Sequence, residues 1–185
     1  KGYEQAGVSG ISVLTDTKYF GGALDDLMQV RSIAGIPVLR KEFIIDAYQI
    51  YESKAYGADV VLLSAAIPSP GQIADLSQLA KELKLEVLLE IHNEYELSKS
   101  DLSYVDLVGV NNRNLKTFTL DLDTSRQLAK LIPDQKVKVS ESGISETETI
   151  RELKKYGYQG FLMGENFMKT EFPGKTAALF IKDLE

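Results

Sequence analysis

Four polar residues could do chemistry together: Lys41, Glu90, Asn111 and Glu141. Each closes a short apolar run, in Leu39-Arg40-Lys41, Leu88-Leu89-Glu90, Gly109-Val110-Asn111 and Val139-Ser140-Glu141. Side chains alternate along a strand, so Lys41 shares a face with Leu39, Glu90 with Leu88, Asn111 with Gly109 and Glu141 with Val139. An ammonium, two carboxylates and an amide on one face make a set suited to acid–base catalysis. Lys41 could hold a phosphate, form a Schiff base or act as a general acid. An acidic neighbour keeps a lysine protonated, which suits an acid more than an amine nucleophile. His92 follows Glu90 in the same phase but lies past the run, and it is read as a solvated loop histidine outside the set.

The elements that must position these residues are legible as seven apolar runs, at 10–14, 36–39, 60–63, 87–89, 107–110, 137–139 and 161–163. They are short, rich in Val, Ile and Leu, and apolar on both faces, as strands of a covered parallel sheet are. Helical segments lie between them, at 24–33, 47–56, 72–83, 94–99, 122–131, 146–156 and 176–184. Ser145-Glu146-Thr147-Glu148 reads as a capping box, and Gly57 and Gly157 as C-terminal caps. Strand centres recur about every 25 residues, the length of a strand, a helix and two loops and far more than a hairpin needs.

Such a series admits an open doubly wound sheet or a (β/α)8 barrel. The open sheet often carries Gly-x-Gly-x-x-Gly after its first strand, and this chain lacks it. A barrel gathers polar groups from many strand ends at once, which fits the four residues above. In a barrel the loops after the last two strands form the usual phosphate site. Here they are Ser142-Gly143-Ile144 and Gly164-Glu165-Asn166-Phe167-Met168, whose glycines let the backbone approach an anion.

Composition narrows the function classes. The 185 residues are 44% apolar and 26% charged, a globular profile long enough for a real core. A net charge of −6 with no basic cluster argues against nucleic acid, and no apolar run approaches a membrane span. A single histidine and no cysteine disfavour a metal site, a His-based triad and a cysteine nucleophile. The lack of cysteine also fits a reducing compartment. The start, Lys1-Gly2-Tyr3-Glu4, reads as the end of a helix whose beginning lies outside the chain.

Several blocks together resemble the indole-3-glycerol phosphate synthase family, a (β/α)8 barrel of tryptophan biosynthesis. They are Ile11-Ser12-Val13-Leu14-Thr15-Asp16 with Tyr19-Phe20-Gly21-Gly22, Pro37-Val38-Leu39-Arg40-Lys41-Glu42-Phe43, Gly57-Ala58-Asp59, and Glu90-Ile91-His92. Gly109-Val110-Asn111-Asn112-Arg113-Asn114-Leu115, Glu141-Ser142-Gly143-Ile144 and Gly164-Glu165 complete the series, in order. The resemblance implies decarboxylating and dehydrating ring closure of 1-(2-carboxyphenylamino)-1-deoxyribulose 5-phosphate to indole-3-glycerol phosphate. It implies Lys41 as the general acid on the ribulose carbonyl oxygen, Glu90 as an aid to proton transfer in dehydration, and Asn111 as the orienter of hydroxyls. Glu141 would bind substrate and tune the lysine. Ser142, Gly143, Gly164 and Glu165 would hold the phosphate largely through their backbone. Arg113 would bind the anthranilate end, and Phe20, Phe43, Leu62 and Leu115 would line its apolar pocket.

The same resemblance makes residues 1–185 one barrel domain holding strands 2 to 8, with strand 1 and its Glu and second Lys lacking. Glu42 stands where the family usually has Asp. The expectation is a cytoplasmic enzyme, a monomer at full length, with a phosphorylated small-molecule substrate, no cofactor, no metal, and little turnover by this chain alone. The alternatives are a barrel like phosphoribosylanthranilate isomerase, disfavoured because its cysteine base has no counterpart here, and an inactive phosphate-binding fragment.

Overall fold

All seven apolar runs become strands: β1 (Ile11–Leu14), β2 (Val38–Lys41), β3 (Val60–Ser64), β4 (Glu86–Ile91), β5 (Leu107–Asn111), β6 (Val137–Glu141) and β7 (Tyr158–Leu162). They form one all-parallel sheet in chain order, β1-β2-β3-β4-β5-β6-β7. The computed structural model describes residues 1–185. In chain order the helices are α1 (Gly2–Gln5), α2 (Leu24–Ile33), α3 (Ala47–Ala55), α4 (Pro70–Glu82), α5 (Glu94–Lys99), α6 (Asp123–Leu128), α7 (Thr147–Lys155), α8 (Glu165–Met168) and α9 (Pro173–Leu184). No helix is long and apolar enough to cross a membrane.

Sequential parallel strands joined by right-handed helical crossovers place every helix on one face, and the core divides accordingly. The larger cluster lies between sheet and helices, with Val61, Leu63, Val87, Leu89, Val108 and Val110 from the strands against Ile50, Ile73 and Ile150 from α3, α4 and α7. A smaller cluster on the other face joins Leu39, Leu62, Leu88 and Val139. Those residues come from β2, β3, β4 and β6, so the sheet is rolled until distant strands touch. Lys41 on β2 lies 3.6 Å from Glu141 on β6. Four strand spacings in a flat sheet would separate them by about 19 Å.

Helix ends follow local chemistry. Asp46 with Gln49 caps α3 and Ser69 with Gln72 caps α4, each a reciprocal box. The box expected at Ser145 does not form: α7 starts at Thr147, its N-cap is Glu146, and no side chain caps it. Gly57 (φ +89°) and Gly157 (φ +91°) do take the left-handed conformation after α3 and α7. The run expected at 161–163 starts three residues earlier, at Tyr158, whose hydroxyl donates to the Ser125 carbonyl at 2.8 Å.

Arg40 alternates with Lys41 and points the other way, into the helix layer. It is 2% exposed and donates to Thr15 Oγ1, the Gln49 carbonyl, Ser53 Oγ and Glu52 Oε2, the last at 2.7 Å. Glu42 closes this network, taking a 2.8 Å bond from Thr15 Oγ1. β2 and α3 are thereby clamped, which fixes the strand end that carries Lys41.

Candidate active site

The four inward residues at the carboxyl ends of β2, β4, β5 and β6 converge. Lys41 Nζ sits 3.4 Å from Glu90 Oε2 and 3.6 Å from Glu141 Oε2. Asn111 Nδ2 donates to Glu90 Oε2 at 3.1 Å, and Asn111 Oδ1 accepts the Arg113 backbone N–H at 3.0 Å. Burial alone would pull Lys41 below its usual range, but the charges of Glu141 and Glu90 outweigh it and hold the ammonium above that range. Lys41 is therefore charged at neutral pH, and no amine nucleophile is available in this state.

Glu141 is the contrasting partner. It is 1% exposed, and neither carboxylate oxygen finds a hydrogen bond. Burial, with the like charge of Glu90 added, pushes its carboxyl up to about 7 despite the opposing pull of Lys41. One of the two carboxylates that share the lysine, Glu141, is thereby raised toward neutral pH, as a group in an acid–base site is. Gly109 makes the room: a Cβ there would overlap Glu141 Oε1 and lie 3.2 Å from both Glu141 Cδ and Leu88 Cδ1.

His92 does not fit the expectation of a solvated loop residue. Its side chain is 11% exposed and lies between two carboxylates, with Nδ1 3.2 Å from Glu96 Oε2 and Nε2 3.7 Å from Glu90 Oε1. Nε2 is buried without a partner. Burial lowers its proton affinity, but the bond to Glu96 and the charges of Glu90, Glu96 and Glu141 more than reverse that, raising it above the usual range. The signal lay in the Glu90-x-His92 phase and in Glu96 four residues on, within the first turn of α5.

The strand-end loops supply the rest. After β6, Ser142 (φ +67°) and Gly143 (φ +73°) are both left-handed, which costs the serine about 1–3 kcal/mol. Asn112 holds this turn by donating to the Glu141 and Ser142 carbonyls at 3.0 and 3.1 Å. Gly164 precedes α8 with open space where a Cβ would stand, and Asn166 Nδ2 reaches the Ser145 carbonyl at 3.4 Å, linking the two loops. Glu165 pairs with Arg113 at 3.0 Å across the mouth.

The expected apolar wall divides. Phe20 stacks on Phe43 with centroids 5.0 Å apart, and Tyr19 meets Phe43 edge-on at 5.6 Å. Leu115 is 43% exposed on the loop after β5. Leu62 instead packs in the inner apolar cluster, level with Leu88 and one side-chain layer below Glu90, so it is floor and not wall.

The chain is similar to known proteins along nearly its whole length. The chain is 48% identical over 183 residues to indole-3-glycerol phosphate synthase of Bacteroides thetaiotaomicron, covering 99% of this chain and 70% of that one. The counterpart in Polaromonas naphthalenivorans is 43% identical over 176 residues, 95% of this chain and 67% of that one. The chain thus spans about two thirds of the length of these relatives. Among solved structures, KGPDC from Streptococcus mutans shares the fold, with a TM-score of 0.77 over 99% of this chain and 87% of that one at 13% identity. The family model for indole-3-glycerol phosphate synthase matches residues 1–180, and the chain belongs to that family.

Proposed function

We propose that the rolled sheet is seven-eighths of a (β/α)8 barrel, β1 to β7 standing as strands 2 to 8, and that its mouth closes the indole ring. The substrate would be 1-(2-carboxyphenylamino)-1-deoxyribulose 5-phosphate, which loses carbon dioxide and water. The observation that carries the reading is the charged Lys41 placed between Glu90 and Glu141 at 3.4 and 3.6 Å.

Lys41 donates its proton toward the ribulose carbonyl oxygen, making the adjacent carbon electrophilic for attack by the anthranilate ring. Carbon dioxide leaves as the ring regains aromaticity. Glu90 assists proton transfer to the departing hydroxyl, Asn111 orients the substrate hydroxyls, and Glu141 binds the substrate while setting the charge around Lys41. The backbone of Ser142, Gly143, Gly164 and Glu165 cradles the phosphate, since anions bind where N–H groups stand exposed at turns and helix starts. Arg113 leaves Glu165 for the anthranilate carboxylate, beside the Phe20–Phe43 stack and Leu115, with Leu62 beneath.

A second reading, binding of the phosphate ester without turnover, draws on the unpaired edges of β1 and β7. The two separate cleanly because the chain has no Trp, so indole emission from product rises on a dark background. Substrate-dependent emission that is lost in Lys41→Met supports the synthase. Saturable binding of the substrate with no emission supports the second reading and removes the first.

A further inference from the structure

Ring closure as proposed above takes up a proton. The substrate carboxylate departs as neutral carbon dioxide and a hydroxyl as water, so charge balances only if each turnover draws one H⁺ from solvent. Glu90 and Glu141 are buried, with side-chain exposures of 7% and 2%, and Lys41, at 21%, is the donor to the carbonyl oxygen. The interior needs a proton inlet.

We propose that His92 is that inlet, a relay residue that acts through Glu90 and never touches substrate. Three observations place it. Its Nε2 is buried, lacks a partner and faces Glu90 Oε1 at 3.7 Å. Glu90 divides its two oxygens: Oε2 accepts from Lys41 and Asn111, leaving Oε1 for the imidazole. The ring cannot drift, because Glu96 Oε2 takes both the His92 backbone N–H at 2.8 Å and Nδ1 at 3.2 Å, while Asn93 Nδ2 holds Glu96 Oε1 at 2.9 Å. A carboxylate fixing Nδ1 so that Nε2 faces a reacting group is the arrangement by which histidines move protons.

The step balances simply. The Nε2–H bond breaks and an Oε1–H bond forms on Glu90, leaving neutral imidazole whose proton stays on Nδ1 and is donated to Glu96 Oε2. Glu90 passes the proton to the departing hydroxyl, which leaves as water. Nε2 itself has no exposed surface, so its proton returns through a water admitted to the mouth when product leaves. A gap of 3.7 Å exceeds a hydrogen bond, and it closes when substrate seats against Glu90 or through one water. The groups facing His92 are Glu90 on β4, Glu96 on α5 and Glu141 on β6, with Lys41 on β2 behind Glu90. All three carboxylates favour the protonated ring.

His92 is the sole histidine, so its ring signals in an NMR pH titration are unambiguous. The expected midpoint lies above 6.5 and falls by about one pH unit in both Glu90→Gln and Glu96→Gln. A midpoint at or below 6.5, or one that Glu90→Gln leaves in place, overturns the relay whether or not the protein turns over substrate. With turnover, His92→Gln should lower kcat at least tenfold with KM within twofold, and added imidazole should restore part of the rate. An unchanged kcat and pH profile in His92→Gln also overturns it. Loss of turnover in the unaltered chain with the titration as expected counts against the synthase reading alone.

Discussion

Replacing Gly109 by alanine should expose how tightly the acid pair is fitted. The added methyl would occupy the place of Glu141 Oε1 and press to 3.2 Å on Glu141 Cδ and Leu88 Cδ1, where ordinary carbon contacts are 3.5–4.0 Å. Glu141 is 1% exposed and Leu88 4%, so neither can swing into solvent. Overpacking of this kind costs about 1–3 kcal/mol, or roughly 2–12 °C in Tm for a chain of this size. The displaced carboxylate also leaves Lys41, already at 3.6 Å, and misplacement by about 1 Å can cost on the order of 10²-fold in kcat. Urea denaturation monitored by circular dichroism measures the first effect and indole emission the second. The control is the double variant Gly109→Ala with Glu141→Asp, whose shorter side chain vacates the space and should recover about 1 kcal/mol or more relative to additivity. An alanine variant within about 0.5 kcal/mol of the parent, with no coupling to Glu141→Asp, refutes the fit.

Other outcomes follow from the same geometry. Lys41→Met should lower kcat by about 10²–10⁴-fold while inorganic phosphate still competes for the cradle, read by initial rates and by binding titration. Because the folded-state proton affinity of Glu141 is raised to about 7 from 4.5, its contribution to stability is full below pH 4.5 and is lost as pH rises through 7. Glu141→Gln should therefore flatten the pH dependence of the urea midpoint over that window and stabilise the fold above pH 7 by on the order of 2 kcal/mol. Arg40→Met strands Glu42 and Glu52 without their buried cation and should destabilise by about 3–5 kcal/mol in urea melts. Arg113→Gln should raise KM several-fold with kcat nearly unchanged, since its pair with Glu165 is 30% and 78% exposed and worth little to the fold.

The sheet was legible because parallel strands buried on both faces must be apolar throughout, and each such run became a strand. Their ends were less so. The run at 161–163 begins at Tyr158 because the tyrosine body is buried and its hydroxyl finds the Ser125 carbonyl, a partner 33 residues away in the chain. The Ser145 box failed for a related reason: capping is decided by where the first helical turn lands, and here Glu146 takes that place. Phase along β2, β4, β5 and β6 was enough to bring Lys41, Glu90, Asn111 and Glu141 to one face. It could not say that Leu62 stops one layer short, because layer depends on the stagger between neighbouring strands and not on either strand alone.

His92 escaped for a different physical reason. A histidine just past a strand is solvated unless something covers it, and the cover here is α5, six residues long and capped by Asn93. Glu96 sits in that helix's first turn, where its carboxylate satisfies the His92 backbone N–H and the imidazole at once. Asn93 thus starts α5 and holds Glu96, and Glu96 in turn holds the ring with Nε2 toward Glu90. Asn112 does the same on the far side, joining β5, β6 and α6 while holding the strained Ser142 carbonyl. In both loops a residue just past a strand also fixes its neighbours: Asn93 holds Glu96 beside His92, and Asn112 holds the turn at Ser142. The strand gives each functional group its face, and the first residues past the strand give it its direction.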